Sequence, residues 1–464
     1  MLKRLFSHYI AEEARPMMRL AAPLVLAELG WMSMVIVDTI MVGWQRGSAV
    51  AIAAVGLAGN LYYAIAIFGT GLMLGLDTLV SHSYGAGDLE DAHRSLVNGN
   101  YLSLAMAPAL MGLVRLWEPV LRLLKVQPAV LEQAIPYLHA VNWSTAPLLF
   151  FFVFRRYLQG INLAKPVMFS ILSANAINVV GNWALIYGHF GFHALGTVGS
   201  GWATCASRAY MAAVLAAYCV YYDLRYKTGF LKAARLPHYP RVRQIVRLGF
   251  PAAMQLGMEV AVFAVATALI ARLGAVPLAS YQIALNTVSF TYMVPLGISS
   301  AAAVRVGQGL GRSDPHGASR AGWTALALGT AFMTCTALAF WLVPRAIVRI
   351  YTPDPVVIRA ASALLFVAAF FQLFDGFQTV ATGALRGAGD TRTPMICSVS
   401  LYWIIGLPLG AWLCFRRGWG AAGLWTGLCV ALILIGSLLL YVWRRCERNF
   451  AARAAHALSQ RNAG

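Results

Sequence analysis

Charged residues are scarce in this sequence, where they make up 11% of 464 residues, against roughly a quarter in ordinary soluble proteins. Hydrophobic residues reach 59%, and the mean hydropathy is +0.67. A soluble domain cannot hide that much apolar surface from water, and a disordered chain needs the opposite balance of low hydrophobicity and high charge. The composition therefore predicts a polytopic membrane protein.

Cysteine and histidine are also few, and neither forms a recognisable motif. The seven cysteines lie mostly in apolar runs without a Cys-x-x-Cys pair, and the nine histidines show no ligand spacing. The metalloprotease, nucleophile-elbow and phosphate-loop motifs are missing as well. These absences argue against a disulfide framework and a cysteine-based zinc site, and they make a membrane-embedded enzyme the weakest alternative. We expect no enzyme, no cofactor and no cleavable signal peptide.

Twelve apolar runs are long enough to cross a bilayer as helices, each of which needs about 20 residues. They run roughly over 17–43, 51–80, 95–117, 131–154, 167–188 and 195–222, and then over 246–272, 278–304, 319–343, 357–384, 394–415 and 420–443. Barrel strands would alternate in hydrophobicity, and these runs do not. The sequence predicts an all-α membrane protein with twelve transmembrane helices.

Positive charge outweighs negative charge by 19. With a cytoplasmic N-terminus, the segments on the cytoplasmic side hold 25 basic residues and the outer loops hold 10. This asymmetry predicts a multi-pass protein of the cell inner membrane with both termini in the cytoplasm. We interpret the basic residues as loop anchors and expect membrane lipid, but no nucleic acid, as a partner.

The two halves of the chain repeat each other. Short matches, among them Asn60 with Asn286 and Gly71 with Gly297, recur in order at shifts of 224 to 228 residues. Six spans per half predict two six-helix lobes related by a pseudo-two-fold axis along the membrane normal, as in transporters. The predicted division is 1–224 (N-lobe), 225–245 (basic cytoplasmic linker), 246–446 (C-lobe) and 447–464 (cytoplasmic tail). Pro23 and Pro251 match between the halves and are either static kinks or moving elements.

Five acidic residues fall within predicted spans: Glu28, Asp38, Asp77, Glu259 and Asp375. A charge at the bilayer centre costs several kcal/mol unless it is paired or hydrated, and Arg208 is the only deep basic candidate. The acids are therefore either protonated or hold a cation. Glu28 and Asp77 lie nearer helix ends, where a packing role is equally plausible, and the three deeper acids are the functional candidates.

Polar side chains accompany these acids. Asn178 and Asn182 share one helix face, and with Thr204 and Asp38 they would form an oxygen-rich set suited to a small hard cation. Hydrogen bonding between helices is the competing interpretation of such side chains. Gln282 and Asn286 form a similar pair in the eighth span.

Four stretches of the sequence resemble the multidrug and toxic compound extrusion family, in its NorM-like bacterial branch. They are 37–43 (VDTIMVG); 259–264 (EVAVFA) with 270–274 (IARLG); 281–286 (YQIALN) with 304–309 (VRVGQG); and 371–375 (FQLFD) with 385–392 (LRGAGDTR). The resemblance covers nearly the whole chain and implies two six-helix lobes that form a V.

By this resemblance the chain would export organic cations against Na⁺ or H⁺ by alternating access. Asp38, Asn178, Asn182 and Thr204 would form the N-lobe ion site. The resemblance implies a C-lobe site for ion or substrate at Glu259 and Asp375, and we add three candidate neighbours to it: Gln282, Asn286 and Phe371. The chain departs from the family at Phe371, where related proteins can carry a tyrosine, and at Tyr281, where a histidine is common. The missing hydroxyl weakens the case for Na⁺ at the C-lobe site.

Two other functions remain as alternatives. A lipid-linked oligosaccharide flippase of the wider superfamily would need cationic residues for an anionic headgroup, whereas the deep charges here are mostly acidic. A channel fits the repeat less well than alternating access does. The leading hypothesis is a monomeric multidrug efflux antiporter with small organic cations as substrates and Na⁺ or H⁺ as the coupling ion.

Overall fold

The structure is a computed structural model that describes residues 2–45, 48–123, 126–232 and 236–462, and within these ranges it is almost entirely helical with no β-strand. Three residues of the predicted linker, 233–235, and the last two of the predicted tail, 463–464, lie outside the described residues. The α-helices are α1 Leu2–Gly43, α2 Ser48–Leu72, α3 Gly75–Gly85, α4 Leu89–Arg115, α5 Trp117–Leu123, α6 Pro128–Asn142, α7 Thr145–Gly160, α8 Ala164–Tyr187, α9 Thr197–Tyr226, α10 Tyr239–Ala271, α11 Ala275–Gly311, α12 Pro315–Leu342, α13 Pro344–Arg349, α14 Pro355–Gly387, α15 Arg392–Ser400, α16 Leu407–Ala411 and α17 Gly420–Asn462. Two π-helical turns, Leu401–Gly406 and Trp412–Arg416, flank α16, whose second residue is a proline without an amide hydrogen.

The described helices provide the predicted number of membrane crossings. Eleven segments are long and apolar enough to span a bilayer, and a twelfth arises if α6 and α7, which meet at a bend of 45°, form one span. That bent span corresponds to the fourth predicted run. The all-α, twelve-helix prediction is therefore confirmed, with one span broken in its middle.

The turn that precedes α4 has a counterpart before α12. The side chain of Asp88 accepts a hydrogen bond from the amide of Asp91 at 2.9 Å, and Asp314 accepts one from the amide of Gly317 at 2.8 Å. Both acids thereby satisfy a free amide at a helix N-terminus. In each turn the preceding residue is left-handed, and the internal repeat therefore extends to backbone conformation.

The chain folds into two compact units whose borders lie inside helices. One unit consists of 26–253, and the other consists of 1–25 together with 254–464. For brevity we call them the N-unit and the C-unit. The first turns of α1 thus pack with the second half of the chain, and the first turns of α10 pack with the first half. The predicted lobes divide at the linker 225–245. In the structure, by contrast, the beginning of α1 belongs to the C-unit and the beginning of α10 belongs to the N-unit.

Two glycines at matching positions of the repeat, Gly71 and Gly297, contact the beginnings of α10 and α1. In the N-unit, a Cβ placed on Gly71 would lie 2.7 Å from the Cα of Ala253 in α10. In the C-unit, a Cβ on Gly297 would lie 2.7 Å from the backbone nitrogen of Val25 in α1. No ordinary side chain fits at such a distance, so backbone-to-backbone contact requires glycine at both positions.

Candidate ion and cargo sites

Asp38 lies in the N-unit, buried between α1, α8 and α9. Its Oδ1 accepts a hydrogen bond of 2.6 Å from the Nδ2 of Asn182, and its Oδ2 accepts one of 3.0 Å from the hydroxyl of Thr204. Nδ2 of Asn182 also donates to Oδ1 of Asn178 at 3.1 Å. The structure thus brings together all four side chains that the sequence singles out for the N-lobe, with Asn178 reaching Asp38 through Asn182.

Two polar atoms of this cluster have no hydrogen-bond partner among the described residues. They are Oδ1 of Asn182 and Nδ2 of Asn178, and both are buried. Buried polar atoms of this kind are usually satisfied, so an orphan pair beside a carboxylate is notable. If the amide of Asn182 turns over, its oxygen joins the Asp38 carboxylate and the Thr204 hydroxyl as a ligand for a small cation.

The other two membrane acids of the N-unit are neutralised by arginines. Nη2 of Arg155 donates to Oε1 of Glu28, and Nη1 of Arg156 donates to Oδ2 of Asp77 at 3.4 Å. Arg155 is only 1% exposed and Arg156 only 6%. The apolar pattern ends the fourth predicted span at residue 154 and places both arginines in the following loop. The prediction that Arg208 is the only deep basic residue is therefore wrong.

Arg208 lies in α9, one helical turn after Thr204, and it has no carboxylate within 4 Å in the described part of the chain. Its guanidinium lies over the rings of Tyr62 and Trp31, with centroid distances of 5.0 and 5.8 Å. Nη1 donates to Oγ of Ser144 at 2.6 Å. The buried Nε has no hydrogen-bond partner among the described residues.

Glu259 in α10 is surrounded by amide groups in the C-unit. Its Oε1 accepts hydrogen bonds from Nε2 of Gln255 at 3.1 Å and from Nε2 of Gln378 at 3.0 Å. Both amides also reach Oγ of Ser398, and the hydroxyl of Tyr402 donates to the oxygen of Gln378. The carboxylate is therefore held in place by two neutral donors, one from its own helix α10 and one from α14.

Asp375 in α14 is buried and interacts electrostatically with Glu259, and it has no hydrogen-bond partner within the described residues. One turn earlier, Phe371 packs edge-on against Phe263 and Trp425, at centroid distances of 6.3 and 5.1 Å. The ring lies within an aromatic cluster and supplies no oxygen to the carboxylate. The two C-unit acids are thus a like-charged pair of which only one is held by hydrogen bonds.

Gln282 and Asn286 do not join this arrangement. Asn286 is exposed and Gln282 half-buried, and neither has a hydrogen bond to an acid in the part of the chain that the structure describes. Gln255 and Gln378, whose amides contact Glu259, are not among the candidates that the sequence pattern indicates. A spacing signal was available, because Gln255 lies four residues before Glu259 and Gln378 three residues after Asp375, on the same helix faces.

None of the described residues forms a group of three or more histidine, cysteine, aspartate and glutamate side chains that would hold a transition metal. The acids of both units instead lie among amide and hydroxyl groups. Hard oxygen ligands of this kind suit an alkali cation, and an isolated carboxylate suits a proton.

Comparisons with known proteins agree with the repeat and with the helical fold. A family model described as MatE matches residues 23–184 and, a second time, residues 251–412. The "Probable multidrug resistance protein NorM" of Mesorhizobium japonicum is 34% identical over 444 residues, covering 94% of this chain and 95% of that protein. The "Multidrug resistance protein NorM" of Burkholderia vietnamiensis is 36% identical over 433 residues, covering 92% of each.

Solved structures of similar fold include the crystal structure of the eukaryotic MATE transporter AtDTX14. It superposes with a TM-score of 0.86 at 20% identity and covers 96% of this chain and 100% of that one. A MATE protein crystallised in a bent conformation gives a TM-score of 0.86 at 17% identity, covering 97% and 99%. At these identities the likeness concerns the fold.

Proposed function

Because this chain belongs to the MatE family, the multidrug and toxic compound extrusion family, we propose that it is a secondary active antiporter that exports organic cations in exchange for Na⁺ or H⁺. The family consists of membrane transporters and not of enzymes. Curated relatives that match over almost the whole chain are named multidrug resistance proteins, which supports a range of drug-like cations as substrates. The coupling by Na⁺ or H⁺ is part of the proposal.

The observation that carries the proposal is the difference between paired and unpaired acids. Glu28 and Asp77 each have an arginine partner, whereas Asp38, Glu259 and Asp375 have no ion pair in the described part of the chain. An unpaired carboxylate within a span is costly, so it is kept where it exchanges a cation or a proton. We therefore assign the coupling ion and the cationic cargo to these three acids.

Each unit contributes a different kind of site to this proposal. Around Asp38, the oxygens of Asn178, Asn182 and Thr204 serve as ligands for Na⁺ or as hydrogen-bond partners of a protonated acid. Glu259 and Asp375 share a proton or bind the cationic group of the cargo. Occupancy drives transport only if the ion binds one conformation of the protein more tightly than the other. The proposed setting is the inner membrane, with both termini in the cytoplasm and the protein acting as a monomer.

The test measures efflux of a fluorescent cationic dye from vesicles that contain the purified protein, first under a Na⁺ gradient and then under a pH gradient. We expect Asp38→Asn, Glu259→Gln and Asp375→Asn each to abolish gradient-driven efflux while the protein still reaches the membrane. The matched control is Glu90→Gln, because the side chain of Glu90 is 74% exposed. Gradient-dependent efflux retained by all three variants would overturn the proposal.

A further inference from the structure

The connection between α9 and α10 in the N-unit carries positive charge without compensating acids. From residue 224 to residue 258 the sequence holds seven basic residues and no aspartate or glutamate. Clusters of lysine and arginine next to a membrane span attract the headgroups of anionic lipids. The contacts within the N-unit show which of these charges remain for such a partner.

Asp223, the acid directly before this basic run, is occupied by the turn that follows α9. Its Oδ1 accepts hydrogen bonds from the hydroxyl of Thr228 at 2.6 Å and from the amide of Phe230 at 2.8 Å. Its Oδ2 accepts one from the amide of Leu231 at 3.0 Å, and Lys227 within the turn is left-handed, with a φ of 52°. The buried carboxylate of Asp223 therefore fixes the shape of the turn and is not available to a basic side chain outside it.

Two further contacts hold the connection against α4. The ring of Phe230 packs edge-on against that of His93, with a centroid distance of 5.7 Å. Farther along, Oδ1 of Asn98 accepts a hydrogen bond of 2.7 Å from the amide of His238, the residue before α10. The turn after α9 and the start of α10 are thus both fixed to the same helix.

Most of the described basic side chains in this region have no acidic partner. Arg241 is neutralised by an ion pair with Asp91 of α4. The exposed basic side chains, none of which forms an ion pair within the described residues, are Arg225, Lys227, Arg243 and Arg247. Positive charge is therefore exposed on both sides of the connection.

Exposed tyrosines indicate the depth of these charges in the membrane. Tyr226 ends the candidate span of α9 and is 64% exposed, and Tyr239 begins the candidate span of α10 and is 77% exposed. Tyrosines at the ends of spans lie at the level of the lipid headgroups. Since Arg225 and Lys227 directly flank Tyr226, the anion that they meet at this depth is the phosphate of a lipid.

We propose that the turn after α9 binds the phosphate of an anionic phospholipid through Arg225 and Lys227. This inference goes beyond the proposed antiport and does not depend on its coupling ion. Under the proposed topology, the lipid lies in the cytoplasmic leaflet. Because Asp223 and α4 already hold the turn, little conformational freedom is lost when the phosphate binds.

The experiment titrates phosphatidylglycerol into the purified full-length protein in a neutral detergent, at constant low ionic strength. The midpoint of thermal unfolding, followed against lipid concentration, gives the apparent affinity, because a ligand of the folded state raises that midpoint. We expect the double variant Arg225→Gln with Lys227→Gln to weaken this affinity about 30-fold, since each basic residue contributes about fivefold. Phosphatidylcholine with the same acyl chains should bind more weakly than phosphatidylglycerol and equally to both proteins.

Two control variants separate this turn from general surface charge and from misfolding. Arg94→Gln removes the same charge as Arg225→Gln, but Arg94 is already paired with Glu90 in the same unit. We expect about a fivefold loss of affinity in Arg225→Gln and less than about a twofold loss in Arg94→Gln. The exchange variant Arg225→Lys with Lys227→Arg keeps both charges and should retain the affinity of the wild type.

Asp223→Asn distinguishes a preformed site from charge attraction alone. The substitution removes a negative charge, so attraction alone predicts tighter binding of phosphatidylglycerol. The new amide nitrogen cannot accept the hydrogen bonds that one carboxylate oxygen accepted, and the turn then no longer holds Lys227 in place. We expect the affinity to fall about threefold.

The possible outcomes separate the inference from the proposed function. Equal losses in Arg94→Gln and Arg225→Gln, tighter binding by Asp223→Asn, or an equal shift with inorganic phosphate in place of the lipid would overturn the inference. Gradient-driven efflux by a wild type whose lipid affinity is unchanged in the double variant would overturn the inference and leave the antiport standing. The expected lipid affinities in a protein without gradient-driven efflux would support the inference and refute the antiport.

Discussion

The two units surround their membrane acids with different partners. The N-unit pairs two acids with arginines and holds the third, Asp38, by hydrogen bonds to both of its oxygens. In the C-unit, Glu259 and Asp375 interact electrostatically, and only Glu259 is hydrogen-bonded among the described residues. The duplicated fold thus holds one membrane acid without an ion pair in the N-unit and two in the C-unit, among the described residues, so equal folds do not imply equal surroundings for their acids.

The largest effect that we expect concerns stability and distinguishes paired from unpaired acids. Arg155→Gln leaves Glu28 buried without a counter-charge, which costs about 3–5 kcal/mol. The measurement is the midpoint of thermal unfolding of the purified protein in detergent. In the double variant Glu28→Gln with Arg155→Gln, most of the loss should be regained, and a double variant as unstable as the single one would refute the ion-pair explanation.

The next effect concerns Na⁺ and separates the two units. The oxygens of Asp38 and of the three side chains around it predict that saturating Na⁺ stabilises the wild type and Asp375→Asn by about 2–3 kcal/mol, as a ligand at about 100 times its dissociation constant would. Asp38→Asn should show no such stabilisation. The stabilisation is measured as the difference in unfolding temperature between Na⁺ and choline solutions of equal ionic strength. A Na⁺-dependent shift that is lost only in Asp375→Asn would place the Na⁺ site in the C-unit and contradict the prediction.

A smaller effect is expected from the amides that hold Glu259. Gln378→Leu removes one donor to Glu259 and the acceptor of Tyr402, and we expect gradient-driven efflux to fall about fivefold, on the order of 1 kcal/mol. The matched control is Gln372→Leu, because Gln372 lies on the same helix and donates to Thr291, not to an acid. Equal losses in the two variants would indicate a general packing defect.

The smallest effect is expected at Phe371. Phe371→Tyr places a hydroxyl one turn before Asp375, in the ring cluster that Phe371 forms with Phe263 and Trp425. We expect Na⁺ stimulation of efflux to rise by no more than about threefold, with a stability cost of about 1–2 kcal/mol for the buried hydroxyl. The efflux rate with and without Na⁺ gives the ratio, and an unchanged ratio would mean that the hydroxyl does not reach the C-unit site.

The sequence predicts the fold well because membrane-spanning helices can be identified from the length and hydropathy of their apolar runs. It also predicts which side chains meet around Asp38, since Asn178 and Asn182 share a helix face and Thr204 is the polar candidate of the sixth span, which the family resemblance also implies. These are local patterns, or patterns shared with a family, and neither depends on the packing of this particular chain.

The ion pairs of the N-unit could not be predicted in the same way. Arg155 and Glu28 are 127 residues apart, and only tertiary packing brings them together. The hydropathy pattern also predicts the wrong end for this span, which it places before Arg155. In the structure α7 continues to Gly160, and Arg155 and Arg156 are both buried. An exposed Asn286 was unpredictable for a related reason, since a polar pair on one face does not reveal what that face contacts.

Because each compact unit contains a helix beginning from the other half of the sequence, the two halves would be incomplete if they were produced as separate polypeptides. A cut in the linker 225–245 would yield two polypeptides of six spans each, yet each would lack a segment that its own compact unit needs. The C-terminal polypeptide would leave Gly297 facing the absent Val25, and the N-terminal polypeptide would leave Gly71 facing the absent Ala253. Such halves would complete each other's compact units by co-assembly, which is the arrangement of a domain-swapped dimer.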